Sequence, residues 1–166
     1  SHTGSCTQAP DIVRTMTDKG TIEVIDMPGL WAGEQESLKH WETYRKELPK
    51  VDCAIWVISA GDRALEGMQN ALQTISKFSD EDIVNRVVFG INKAEHMYPE
   101  DWNDDVNLPS EEQIKNLDEF CTTVEKAIIE KFPKWKGSIK YYSARKHFRL
   151  EELLEIEKQF KKLNNQ

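Results

Sequence analysis

The sequence is short of cysteine, of long hydrophobic runs and of basic charge, and each shortage removes a class of protein. Its cysteines, Cys6, Cys53 and Cys121, are odd in number and widely spaced. With no CxxC and no Cys/His cluster they offer neither a disulfide framework nor a metal site, and they read as reduced thiols of a cytoplasmic protein. No apolar run approaches the roughly 20 residues that span a bilayer, and neither a signal nor a transit peptide is visible. Lys and Arg number 22 against 29 Asp and Glu, a net charge of -7. That balance argues against broad attraction to nucleic acid or membrane, although a local basic patch would survive it. There is no internal repeat, no low-complexity segment and no break in composition. The 166 residues, 39% hydrophobic and 31% charged, are therefore expected to form a single domain over 1–166 with a core of its own.

What is present is alternation. A strand over 10–16, the turn signal "TDKG" and a second strand over 21–26 predict an antiparallel hairpin. Leu38, Trp41, Tyr44 and Leu48 recur at helical spacing before Pro49. The apolar runs "CAIWVISA" (53–60) and "RVVFGIN" (86–92) predict strands covered on both faces of a parallel sheet, with a helix over 64–78 between them. A polar, acidic stretch from Glu95 to Leu108 leads to a capping box at Ser110 and Gln113. The helix it starts carries Ile114, Leu117, Cys121, Val124 and Ile128 on one face. A strand over 138–144 and a helix over 150–163 close the chain. This order predicts an α/β sheet flanked by helices, with any ligand beyond the carboxyl ends of the strands.

Polar residues stand at those ends: Asp26 in "DMPG" (26–29), Asn92 in "NKAE" (92–95), and Ser143 in "SA" (143–144). With "CT" at 6–7 and "GDRAL" at 61–65, this ordered set resembles the P-loop GTPases of the Era-like group, and within it bacterial, often prophage-borne GTPases of the ribosome-binding kind. Each motif alone is weak, and "DMPG" by itself also reads as a strand ending in a Pro-Gly turn with a solvated carboxylate.

The resemblance implies a three-layer P-loop NTPase (Ras-like) sheet, mostly parallel with one antiparallel hairpin strand. It also implies a domain that binds GTP or GDP and hydrolyses GTP with Mg²⁺. Thr7 and Asp26 would serve the metal, Asp26 through a bound water. Thr7 and Gly29 would sense the γ-phosphate, Gly29 through its backbone N–H. Glu95 would accept paired hydrogen bonds from the guanine N1–H and exocyclic amine. Lys93 would lie along the ring, Asn92 would tie neighbouring loops together, Ser143 would belong to the nucleotide site, and the Ala144 N–H would meet O6. Glu95 departs from the Asp common in the family by one methylene. Leu30 stands where Ras-like enzymes carry a water-orienting Gln, which implies slow intrinsic hydrolysis.

No GxxxxGK[ST] occurs in the sequence. The expectation is an amino-terminally truncated domain lacking its first strand, phosphate loop and first helix, weak or inactive as it stands. In the family the absent strand lies between those ending at Asp26 and Ala60, so these two are expected to pair directly or to have their gap filled by another chain. The alternative is a non-catalytic interaction or scaffold module, self-associating through unpaired strands. A ribosomal, RNA or protein effector enters through resemblance alone. "DWNDDVNLPSEE" (101–112) matches EF-hand spacing except for Val106 where glycine is needed, and reads as a solvated loop. Lys131, Lys134, Lys136 and Lys140 around Trp135 present either an RNA-stacking patch or a solvated helix end with the Trp folded onto the core.

Overall fold

The computed structural model describes residues 9–17, 20–30, 34–63, 65–78 and 81–153. It divides into two compact units, residues 1–50 and 51–166.

In the first unit β1 (Asp11–Thr17) and β2 (Gly20–Asp26) pair antiparallel, from Asp11 opposite Asp26 to Thr17 opposite Gly20. Gly20 has φ 126°, a value open to glycine because it lacks a Cβ, so the "TDKG" turn signal is met. Arg14 faces Glu23 across the ribbon and its Nε donates to the carboxylate at 2.7 Å. The apolar residues of "IEVID" are not enclosed: Val24 and its cross-strand partner Val13 are 55% and 57% exposed. A two-stranded ribbon cannot cover both of its own faces. α1 (Glu34–Glu47) gives way at Pro49 to a 3₁₀ turn, Leu48–Lys50, since proline has no N–H to extend the ladder. Trp41 and Tyr44 stack at 6.0 Å, while the side chain of Leu38 lies outside the described residues.

The second unit runs β3 (Ala54–Ser59), α2 (Leu65–Phe78), β4 (Val87–Asn92), β5 (Trp102–Asn103), β6 (Leu108–Pro109), α3 (Glu111–Lys131) and β7 (Ile139–Tyr141). β3, β4 and β7 form a parallel sheet in that order. Central β4 is buried from Val87 to Ile91, as its apolar run predicts. β3 corrects its expectation: Ile55 and Val57 are exposed because the strand lies at the sheet edge with one face uncovered. Among the described residues β2 and β3 belong to separate sheets, so the expected direct pairing between them is not formed.

α2 buries Met68, Ala71, Leu72 and Ile75, the stripe a helix of 3.6 residues per turn turns toward a core. It is tied to α3 by Gln69, whose Nε2 donates to the Ala127 carbonyl at 2.7 Å. α3 starts at the expected capping box, its Ser110 hydroxyl accepting from the Gln113 N–H. Its buried stripe takes in Leu117, Val124 and Ile128 but starts at Gln113, leaving Ile114 exposed. Trp135 packs edge-on against Phe89 at 5.6 Å and is buried, so the basic stretch around it has no ring free to stack on a base. The polar stretch before α3, expected to be a loop, contains the short β5–β6 hairpin. Residues 150–153 begin a closing helix, and Leu153 packs with Val88 and Cys53. Gly90 leaves room there, since a Cβ would sit 3.0 Å from the Tyr142 ring.

Candidate functional site

The carboxyl end of β4 carries the densest polar geometry of the second unit. Asn92, the last residue of the strand, turns its Oδ1 to accept both its neighbour's Lys93 N–H at 2.7 Å and the Ala144 N–H at 3.1 Å. Fifty-odd residues of sequence separate the two donors, yet one amide oxygen holds both loops. Asn92 also accepts at its carbonyl from the Ala60 N–H at 2.8 Å, which brings in the "GDRAL" turn, where Gly61 has φ 76°. Lys93 has φ 61°, a left-handed conformation that costs a Cβ-bearing residue on the order of 1 kcal/mol. Strain of that kind persists where surrounding contacts impose it, and here Asn92 does so.

Glu95 follows in a short 3₁₀ turn, Ala94–His96, and is 7% exposed. Its Oε2 is enclosed and has no hydrogen-bond partner among the described residues, and its Oε1 lies 3.8 Å from His96 Nε2. A carboxylate oxygen taken from water without a donor is costly. The backbone around it is fixed from α3: fully buried Gln113 donates through Nε2 to the carbonyls of Glu95 and Met97 at 3.1 and 3.0 Å. Asn116 donates to the Tyr98 carbonyl at 2.7 Å. The helical period identifies Gln113 only as a capping residue; the signal that it does more is a polar side chain at a position the buried stripe occupies.

Ser143 is expected at a strand end and lies two residues beyond β7, fully buried, in an isolated bridge with Phe148. Its hydroxyl accepts from the Lys146 N–H at 2.9 Å and so shapes the loop that carries Ala144. The structure thus brings Asn92, Lys93, Glu95, Ser143 and Ala144 into one neighbourhood. The Ala144 N–H, expected to meet a guanine O6, is engaged with Asn92 Oδ1.

Asp26 and Gly29 belong to the first unit. Asp26 ends β2 and is exposed, and the backbone after it is gripped by α1. Tyr44 donates its hydroxyl to the Pro28 carbonyl at 3.0 Å, and His40 Nδ1 lies 2.8 Å from the Gly29 carbonyl. A carbonyl only accepts, so the imidazole carries its proton on Nδ1. Burial, and after it the negative charge of Asp26, pushes Tyr44 up to about 12. His40, 4% exposed, was outside the apolar pattern of α1, and only its position one turn before Tyr44 hints at its role. Thr7 lies outside the described residues.

No family model matches the chain. The uncharacterised protein YfjP of Escherichia coli K12 is 25% identical over 117 residues, which are 70% of this chain and 39% of that protein. The uncharacterised YkfA of the same organism is 32% identical over 65 residues, 39% of this chain and 23% of that protein. The chain thus spans well under half the length of these relatives. Among solved structures, elongation factor SelB from Methanococcus maripaludis, in complex with the GTP analogue GppNHp, superposes with a TM-score of 0.59 at 19% identity, covering 96% of this chain and 29% of that one. A structure of the chloroplast translocon components atToc33 and psToc159, for whose GTPase activity dimerisation is important, gives 0.57 at 17% identity over 87% of this chain and 59% of that one. The chain shares the α/β fold of these structures. The α/β class with a parallel sheet and an antiparallel hairpin, expected from the order of elements, holds.

Proposed function

We propose that these residues are the base-reading and switch parts of a guanine-nucleotide-binding domain of the Era-like kind, which hydrolyses GTP with Mg²⁺. One observation carries the reading: the enclosed, partnerless Oε2 of Glu95 sits in the loop that Asn92 joins to Ala144. Guanine has two adjacent donors, N1–H and the exocyclic amine, which match a carboxylate, and adenine lacks that pair. Leaving the carboxylate unpaired against the wrong base is worth roughly 10⁴-fold in discrimination at well-built sites. The extra methylene of Glu95 reaches further than an Asp, and a rotation about it away from His96 presents both oxygens to the base. O6 then shares the Ala144 N–H with Asn92 Oδ1, and the stem of Lys93 covers the ring.

In the first unit Asp26 suits a Mg²⁺ that keeps most of its waters, since such an ion needs only one or two protein carboxylates. Thr7 would add a hydroxyl ligand. When bound, the ion neutralises charge on the phosphates. The residues of this chain position what surrounds it: Tyr44 and His40 fix the carbonyls of Pro28 and Gly29 and so set the backbone of the segment after Asp26. Leu30 cannot orient the attacking water, which supports slow intrinsic turnover. We propose one nucleotide-binding domain across residues 1–166, with the phosphate loop and its strand supplied from outside this sequence and the whole acting in the cytoplasm.

A second reading, a non-catalytic module that self-associates, draws on the exposed apolar residues of the strands, Met16 at 87% foremost. Calorimetry with GTP and GDP separates the two, on this chain and on one extended upstream to include a GxxxxGK[ST] segment. Mg²⁺-dependent binding by the extended chain and weak binding by the 166-residue chain are expected. Tight binding by the 166-residue chain would overturn the need for the loop; no binding by the extended chain would overturn the GTPase reading.

A further inference from the structure

The β5–β6 hairpin touches both base-reading loops, and nothing in the motifs accounts for it. Trp102 packs beside the buried group of Ala94, Met97 and Leu117 under the Glu95 loop. The same indole meets Phe148 edge-on at 5.1 Å and 89°, in the loop that carries Ala144. At the hairpin tip Asn107 has φ 53°, a conformation asparagine tolerates better than most side chains. Its amide is doubly committed. Oδ1 accepts from the Trp102 indole N–H at 3.2 Å, and Nδ2 donates to the Lys146 carbonyl at 2.9 Å. An indole N–H can only donate and a carbonyl can only accept, so the orientation of this amide follows from its partners. Lys146 is held a second time, its ammonium paired with Asp104 of the same turn.

We infer that the hairpin is a brace for base recognition and that Asn107 is its positioning residue. It holds Lys146, two residues beyond Ala144, so that the Ala144 N–H keeps its place beside Asn92. The inference rests on the base-site reading above. It adds a residue that touches no nucleotide and acts chiefly on the contact to O6, through Lys146; its other bond, to Trp102, reaches the Glu95 loop only through packing.

The test uses the 166-residue chain in ¹⁵N-edited NMR titrations, which read weak binding, with three diphosphates: guanosine, inosine (lacking the exocyclic amine) and 2-aminopurine riboside (lacking O6 and with it the N1 proton), the change in each ratio between parent and variant being the readout. Asn107→Gly keeps the positive φ and deletes the amide. It is expected to shrink the guanine preference over 2-aminopurine about five- to tenfold, the equivalent of one ordinary hydrogen bond, while leaving the preference over inosine unchanged and lowering the melting temperature by only a few degrees. Asn107→Asp keeps the acceptor for Trp102 but sets a carboxylate against the Lys146 carbonyl, and is expected to do the same. Val106→Ala, at an exposed neighbour, is expected to change neither ratio. Unchanged ratios in both Asn107 variants would overturn the brace and leave the base site standing. A fall in both ratios together with melting would show a merely structural role and also overturn it. If the parent chain itself does not prefer guanosine diphosphate to either analogue, the base-site reading fails and takes the brace with it.

Discussion

Asn92 and Lys93 show how much one residue can organise. The Asn92 amide oxygen takes two backbone donors from different loops, so Asn92→Ala leaves both N–H groups to find water and is expected to lower stability by about 2 kcal/mol. Denaturant titration measures that loss, and guanine-nucleotide affinity should fall with it. Lys93 is the opposite case, a side chain held at φ 61°. Lys93→Gly relieves the strain and is expected to raise stability by up to about 1 kcal/mol, while weakening nucleotide binding because the covering stem is gone. Stability and affinity moving in opposite directions would identify the strain as functional. At Tyr44 the expectation concerns pH. Its phenol is raised to about 12 from an ordinary value near 10, so the folded state holds the proton more tightly than the unfolded chain. That contribution is intact below about pH 10 and is lost as the pH climbs to about 12. Tyr44→Phe should cost about 1 kcal/mol near neutrality, by deleting the bond to Pro28, and should remove this part of the alkaline decline in melting temperature.

At the scale of elements, α3 does more than cover the sheet. Its first turn closes the capping box and reaches back through Gln113 and Asn116 to three carbonyls of the loop after β4. Gln113→Leu is expected to cost about 3 kcal/mol, since it strands buried acceptors as well as the cap, and a thermal melt reads it directly. Asn116→Ala, at a more exposed bond, should cost under about 1 kcal/mol. The capping box and the α3 register were legible from Ser110, Gln113 and the spacing of Leu117, Val124 and Ile128. The β5–β6 hairpin was not, because strands of two residues leave no period to read and are held by Trp102 and Asn107 through contacts distant in sequence.

For the whole molecule, the apolar strands end in two different environments. β4 is central and buried, whereas β3 is an edge, although their sequences read alike. An exposed apolar edge invites pairing with another chain, and natural sheets blunt such edges with charge. Val57→Lys is therefore expected to leave the melting temperature nearly unchanged and to reduce self-association of the 166-residue chain in sedimentation velocity. An unchanged sedimentation profile at high concentration would count against assembly through that edge.

The sequence by itself determined the order of elements, the hairpin turn at Gly20, the capped start of α3 and the clustering of polar residues at the strand ends, because periodicity, turn chemistry and caps are local. Tertiary structure alone decided which strand is central, which carboxylate is enclosed without a donor, and that Gln113 and Asn107 hold the loops from behind. Burial and partner choice depend on residues far apart in the chain, and a strand's own side chains carry no record of whether a neighbour lies beside it.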